Sequence, residues 1–209
     1  MLKSNELLEN ICNRLANLTP NWKGTMEKMK EERPNMCSKD IFLSERSSHI
    51  SEVYLQVSLA KICKRMKRVD LHPIPDGAST VNYNFQYRNG RLVVDNKDGK
   101  SHTDYDGLIK VDDLPVIFEV KISHLFSSRR GTNRVLRLDR INHVALPVQE
   151  FFKTEDFGYV AVISKENVRD SLLEREFKEN GGILIPFFWS SDAFRDKIKQ
   201  YAKKYKLYE

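Results

Sequence analysis

The sequence predicts an α/β domain, a mixed β-sheet flanked by helices, and three observations carry that prediction. Apolar residues recur every three or four positions near the N-terminus and again between Asp40 and Arg68, which is the helical period. From Val81 to Ser123 the period drops to two, the mark of half-buried strands. After Thr132, helix-like and strand-like stretches alternate. The 209 residues suit one domain, and 40% hydrophobic against 31% charged residues supports a core and excludes a disordered chain.

Taken in order, Leu7, Leu8, Ile11, Cys12 and Leu15 place a helix over 4–18, ended by Pro20, and a short helix is expected over 23–32 before Pro34. The 40–68 helix carries two adjacent apolar stripes and closes on Lys64-Arg65-Met66-Lys67-Arg68, where cations suit the helix dipole. Val81, Tyr83, Phe85 and Tyr87 alternate with polar residues as a strand, and Asn89-Gly90 is a hairpin signal that returns Arg91–Asp95 antiparallel. A third strand (Thr103–Val111) and a fourth (Val116–Ser123) flank a turn at Asp112-Asp113. Thr132 or Asn133 caps a helix to about Ala145, which Pro147 breaks or restarts. A strand over Gly158–Ser164 and a helix over 166–179, closed by Gly181-Gly182, come next. A strand over Ile183–Phe188 and a last helix capped at Ser190 or Ser191 complete the order.

Charge and cysteine usage narrow the setting. The net charge of +6 fits an anionic partner such as nucleic acid, and equally a plain solubility charge. Cys12, Cys37 and Cys63 form neither a disulfide framework nor a CxxC metal knuckle, so an intracellular, reducing location is expected. Met1-Leu2-Lys3-Ser4-Asn5-Glu6 turns polar before any apolar run develops, which argues against a signal peptide. The apolar run 182–189 is too short to span a bilayer, so no membrane association is expected.

The chemistry concentrates in 103–123. A tight turn at Asp112-Asp113 sets Asp106 opposite Glu119 and Asp104 opposite Lys121, all four on one face. Opposed Cβ atoms lie roughly 4.5–5.5 Å apart, near enough for two carboxylates to share one cation. The other face, Val116, Phe118, Val120 and Ile122, is core. Charges on so apolar a strand are costly unless paired or bound to metal, and oxygen-only ligands favour Mg²⁺ or Mn²⁺. An exposed hairpin with Asp–Lys pairs is the competing reading, but it does not explain an acid opposite an acid.

Tyr105-Asp106 followed by Glu119-Val120-Lys121 resembles the PD-(D/E)XK nuclease superfamily, in the style of Holliday-junction resolvases and restriction endonucleases. The resemblance implies a restriction-endonuclease-like αβββαβ core over roughly 45–165. It divides the chain into an N-terminal helical extension packed on that core (1–39) and the nuclease-like domain (40–209). It implies a Mg²⁺- or Mn²⁺-dependent nuclease acting on nucleic acid, with DNA favoured. Asp106, Glu119 and the Val120 carbonyl would be metal ligands, Lys121 would be catalytic, and Glu52 of the long helix would be the extra acid that assists catalysis and ligation. Glu52 reads equally as a solvated helix residue. Asp104 is an alternative to Asp106. His49, one turn before Glu52, matches a metal ligand of the cap-snatching RNA endonucleases in the same superfamily or is structural. The proline of the family motif is absent before Asp106, and the literal Pro75-Asp76 lies in a loop too early in the chain.

Arg129 and Arg130, then Arg134, Arg137 and Arg140 at three-residue steps, are expected to form a basic helical face that grips phosphate. The expected function is therefore a metal-dependent endonuclease or exonuclease. A cap-snatching-like RNA endonuclease and an inactive nucleic-acid-binding scaffold are the alternatives. Many such nucleases dimerise, so a homodimer is compatible and the oligomeric state is open.

Overall fold

The computed structural model describes residues 1–18, 47–64, 66–88, 91–121, 135–164 and 172–187, with Glu27, Lys28, Glu31, Asp196 and Gln200 as single positions. The elements are α1 (Glu6–Ala16), α2 (Ser47–Cys63), β1 (Val69–Asp70), β2 (Tyr83–Arg88), β3 (Arg91–Asn96), β4 (Ser101–Tyr105), β5 (Gly107–Val111), β6 (Leu114–Lys121), α3 (Leu138–Phe152), β7 (Gly158–Ser164), α4 (Leu172–Glu179) and β8 (Ile183–Phe187). The chain is mixed α/β, but among the described residues it builds two sheets where one was expected. Five strands form a mixed sheet in the order β1-β5-β6-β7-β8, and β2-β3-β4 form a separate antiparallel sheet.

The division falls inside what reads as a single third strand. Residues before Asp106 pair with β3 (Leu92↔Tyr105), and residues after it pair with β6 (Gly107↔Phe118). Alternation of side chains persists through such a bend, so sequence periodicity does not reveal it. Gly107 permits the corner: a Cβ there would lie 3.3 Å from both Leu59 Cδ1 and Phe118 Cβ, because α2 presses against the strand at this point.

β6 is the spine of the larger sheet. It pairs antiparallel with β5 and parallel with β7, so both edges are covered. Val116, Phe118 and Val120 pack into a core with Leu8 and Ile11 of α1 and Leu55, Leu59 and Ile62 of α2. Ile117 points the other way, into a second core with Ile141 and Val144 of α3 and Phe85 and Val94 of the small sheet. Each such buried apolar side chain contributes roughly 1.5–3 kcal/mol. Asn5 caps α1 by accepting the Leu8 N–H at 2.8 Å, and through Leu8, Ile11 and Cys12 this helix is a wall of the first core.

Several boundaries move. α2 stops at Cys63, so Lys64, Met66, Lys67 and Arg68 of the basic turn lie beyond the helix. Arg68 adopts φ +73 and its carbonyl accepts the Asp112 N–H at 2.8 Å, delivering β1 antiparallel to the edge of β5. Two residues of β1 were too short a strand to read from periodicity. Val81 is 84% exposed and precedes β2. The register Arg88↔Arg91 brackets Asn89-Gly90, which lies outside the described residues. Of the 23–32 helix only Glu27, Lys28 and Glu31 are described, as helical. Residues 40–46, 122–134 and 165–171 and nearly all of the last helix also lie outside the described residues.

Pro147 neither ends nor restarts its helix, since α3 runs through it to Phe152. A proline in a helix interior strands the carbonyl four residues back and crowds the turn. Two residues of β4 accept that consequence: His102 Nε2 lies 3.1 Å from the His143 carbonyl, and the Tyr105 hydroxyl donates to the Val144 carbonyl at 2.6 Å. The proline thus frees the His143 acceptor, and with the neighbouring Val144 contact it docks β4 onto α3.

Candidate active site

The bend brings ionisable groups to the end of β6. Asp106, at the corner, is 4% exposed and its Oδ2 accepts the backbone N–H of Val120 at 2.8 Å. Glu119 is also buried, and Lys121 Nζ lies 3.1 Å from its Oε1. In an extended strand the N–H and carbonyl of one residue leave along the same edge, so the Val120 carbonyl shares the edge that faces Asp106. Gln56 of α2 donates from Nε2 to the Asp106 carbonyl at 3.3 Å, fixing the corner from the helix side.

The electrostatics follow from this crowding. Burial, reinforced by the Glu119 charge, pushes the Asp106 carboxyl up to about 7, against the opposing pull of Lys121, the Val120 N–H and Arg91. Burial works against the Lys121 ammonium, yet Glu119 and Asp106 outweigh it and hold its pKa above the ordinary lysine value. A buried acid that keeps its proton to near neutrality, beside a second carboxylate, is a site short of positive charge.

Arg91, which sequence reading did not select, supplies part of that charge. Its Nη2 pairs with Glu52, its Nη1 lies 2.8 Å from Asp104 Oδ2, and Nη2 is 3.9 Å from Asp106 Oδ1. The Asn89-Gly90 hairpin signal placed Arg91 at a strand start. The β3–β4 register that aims it at Asp104 was not readable, because a bulge between Val94 and Asp95 shifts that pairing.

Sequence expectation and structure agree in part. Glu52 is 5% exposed, on the side of α2 that meets the bend, and is not a solvated residue. Asp104 does not stand opposite Lys121: it pairs with Val93 in the small sheet and is half exposed, though its charge still reaches Lys121. His49 lies in α2, and its side chain is outside the described residues, as are Arg129, Arg130 and Arg134. Arg137 is not on a helical face. It precedes α3 in extended conformation, with its guanidinium held by Asp139 at 2.7 and 3.0 Å. Arg140 lies in the first turn of α3, and against the burial that raises the pKa of the Tyr159 hydroxyl its charge acts to lower it. The Pro75-Asp76 pair serves the small sheet: Asp76 Oδ1 accepts the Tyr87 N–H at 2.7 Å.

Among the described residues no three His, Cys, Asp or Glu side chains are grouped as a metal shell. The donor set nonetheless suits a hard divalent cation in type: carboxylate oxygens and a backbone carbonyl, with a buried acid short of positive charge. No helix among them is long and apolar enough to cross a membrane. No protein-family model matches the chain, and no curated protein or solved structure does.

Proposed function

We infer that the chain is a divalent-metal-dependent nuclease with a restriction-endonuclease-like core, cleaving phosphodiester bonds of nucleic acid and of DNA in preference to RNA. One observation carries the reading. Two buried carboxylates, Asp106 and Glu119, and the Lys121 ammonium meet where a strand bends out of one sheet into another, with Glu52 behind them. A fold seldom buries two mutually repelling acids without a use for their oxygens.

Asp106, Glu119, Glu52 and the Val120 carbonyl would hold Mg²⁺ or Mn²⁺, which supplies Lewis-acid polarisation of the phosphate and a water of lowered pKa. Glu119 orients the Lys121 ammonium by their 3.1 Å contact. From there Lys121 positions the attacking water and offsets negative charge growing on the phosphoryl oxygens. The Val120 N–H fixes the rotamer of Asp106, and its other oxygen lies on the side of Arg91. Arg140, on the first turn of α3, would add positive charge for holding the phosphate backbone.

The test is a cleavage panel of single-stranded, duplex, flapped and four-way DNA and single-stranded RNA, with Mn²⁺ and with EDTA. Cleavage with Mn²⁺ should fall at least about a hundredfold in Asp106→Ala, Glu119→Ala and Lys121→Ala, with circular dichroism unchanged. Undiminished cleavage in all three would reject the assignment.

A further inference from the structure

Three carboxylates from different elements converge on the single guanidinium of Arg91. Glu52 arrives from α2, Asp104 from β4 and Asp106 from the corner between the sheets. The arrangement has an inside and an outside. The side chains of Glu52 and Asp106 are each 6% exposed and that of Asp104 is 52% exposed, with Arg91 between them at 19%. The two inner acids are the ones that the nuclease reading assigns to the metal, and the inference rests on that reading. A guanidinium and a hard cation cannot both occupy the inward lone pairs of these acids. The outer acid, 2.8 Å from Nη1, marks the direction in which the guanidinium can turn and still keep a partner.

We propose that Arg91 is an internal counter-cation that competes with the divalent metal for Glu52 and Asp106, and that a nucleic-acid phosphate promotes metal loading by drawing the guanidinium outward. A phosphate accepts the planar fork of arginine bidentately, as a carboxylate does, so the exchange substitutes one charge-assisted pair for another. The two inner carboxylates then pass to the metal without being left unneutralised. Linkage makes the effect reciprocal: substrate raises metal affinity and metal raises substrate affinity by the same factor. The site would hold metal about tenfold more weakly until an anionic backbone is present.

The experiment measures Mn²⁺ affinity of the full chain by electron paramagnetic resonance, alone and with a non-cleavable phosphorothioate oligonucleotide. Arg91→Gln should bind Mn²⁺ about tenfold more tightly than the parent without oligonucleotide. The oligonucleotide should tighten binding about tenfold in the parent and much less in the variant. Arg88→Gln is the control. It removes a neighbouring hairpin arginine whose partner is Asp95, outside the acid cluster, and should behave as the parent. If Arg91→Gln does not fold, Arg91→Lys keeps the charge without the fork and should show intermediate tightening. Equal or weaker Mn²⁺ binding in the folded Arg91 variant, or equal coupling in both proteins, overturns the proposal. Parent protein that binds Mn²⁺ and cleaves while Arg91→Gln binds no tighter removes this inference alone. Tighter binding by Arg91→Gln without cleavage by either protein removes the nuclease reading and leaves the competition standing.

Discussion

The two ends of the β5–β6 hairpin are built on opposite principles. At the turn end, Val111↔Leu114 and Ile109↔Val116 pair in an unbroken ladder, and Val111, Ile109 and Val116 are buried. At the far end, beyond Gly107↔Phe118, the ladder stops, and the next residues are Asp106 on one strand and Glu119 on the other. One end buries hydrocarbon at a steady gain. The other buries charge at a loss, and it tolerates that loss because the apolar end fixes the strands beneath it. Stability and site are thus separable along a few residues of one strand: removing apolar bulk should destabilise the fold, and removing the buried charge should stabilise it.

The largest effect belongs to the apolar end. Phe118 is 0% exposed between α2 and the sheet, and Phe118→Ala should cost about 3–5 kcal/mol in urea unfolding. A loss below 1 kcal/mol would mean that this end is not the foundation described.

The charged end should respond with the opposite sign. In the folded chain without metal, Asp106 holds its proton up to about pH 7, whereas its ordinary value is 3.8. Between those values the native state binds more protons than the unfolded one, so stability falls as pH rises through the window and levels off above it. Asp106→Asn keeps the shape and an acceptor for the Val120 N–H while removing the ionisation. It should therefore be more stable than the parent at pH 8, by on the order of 2 kcal/mol, and the gap should close towards pH 4. Thermal melts at both pH values measure it. A gap that widens towards acid would mean that ionised Asp106 is the stabilised form.

The same contrast explains what could be read in advance. The apolar end announces itself, because alternation and the Asp112-Asp113 turn fix the register that sets Asp106 against Glu119. The Glu119-Val120-Lys121 tripeptide was legible for the same reason. The bend was not, since a strand that changes sheets keeps its alternation, and the close approach of Leu59 to Gly107 that accompanies the corner is a tertiary contact. Asp104 was accordingly expected opposite Lys121, whereas it lies in the small sheet opposite Val93. Arg91 escaped notice because its role depends on β3–β4 pairing across a bulge. The helical face drawn through Arg137 failed at a local step. The helix starts one residue later, and Arg137 spends its guanidinium on Asp139.

The smallest effect probes the joint between the two ends. Tyr105 immediately precedes the corner, and its hydroxyl donates to the Val144 carbonyl of α3 at 2.6 Å, in a fully buried setting. That contact ties β4 to α3 one residue beyond the His143 carbonyl, whose helical donor Pro147 removes. Tyr105→Phe removes the donor but keeps the ring, so the fold should survive with a loss of about 1 kcal/mol, the net worth of one hydrogen bond. The corner is also released from its anchor. Asp106, still tied to Val120, gains freedom relative to Glu52 and Arg91, which belong to other elements. Mn²⁺ affinity should therefore fall several-fold, while the urea midpoint moves only slightly. Loss of stability with unchanged Mn²⁺ affinity would show that the corner is held by Gly107 packing alone and that the small sheet does not position the acids.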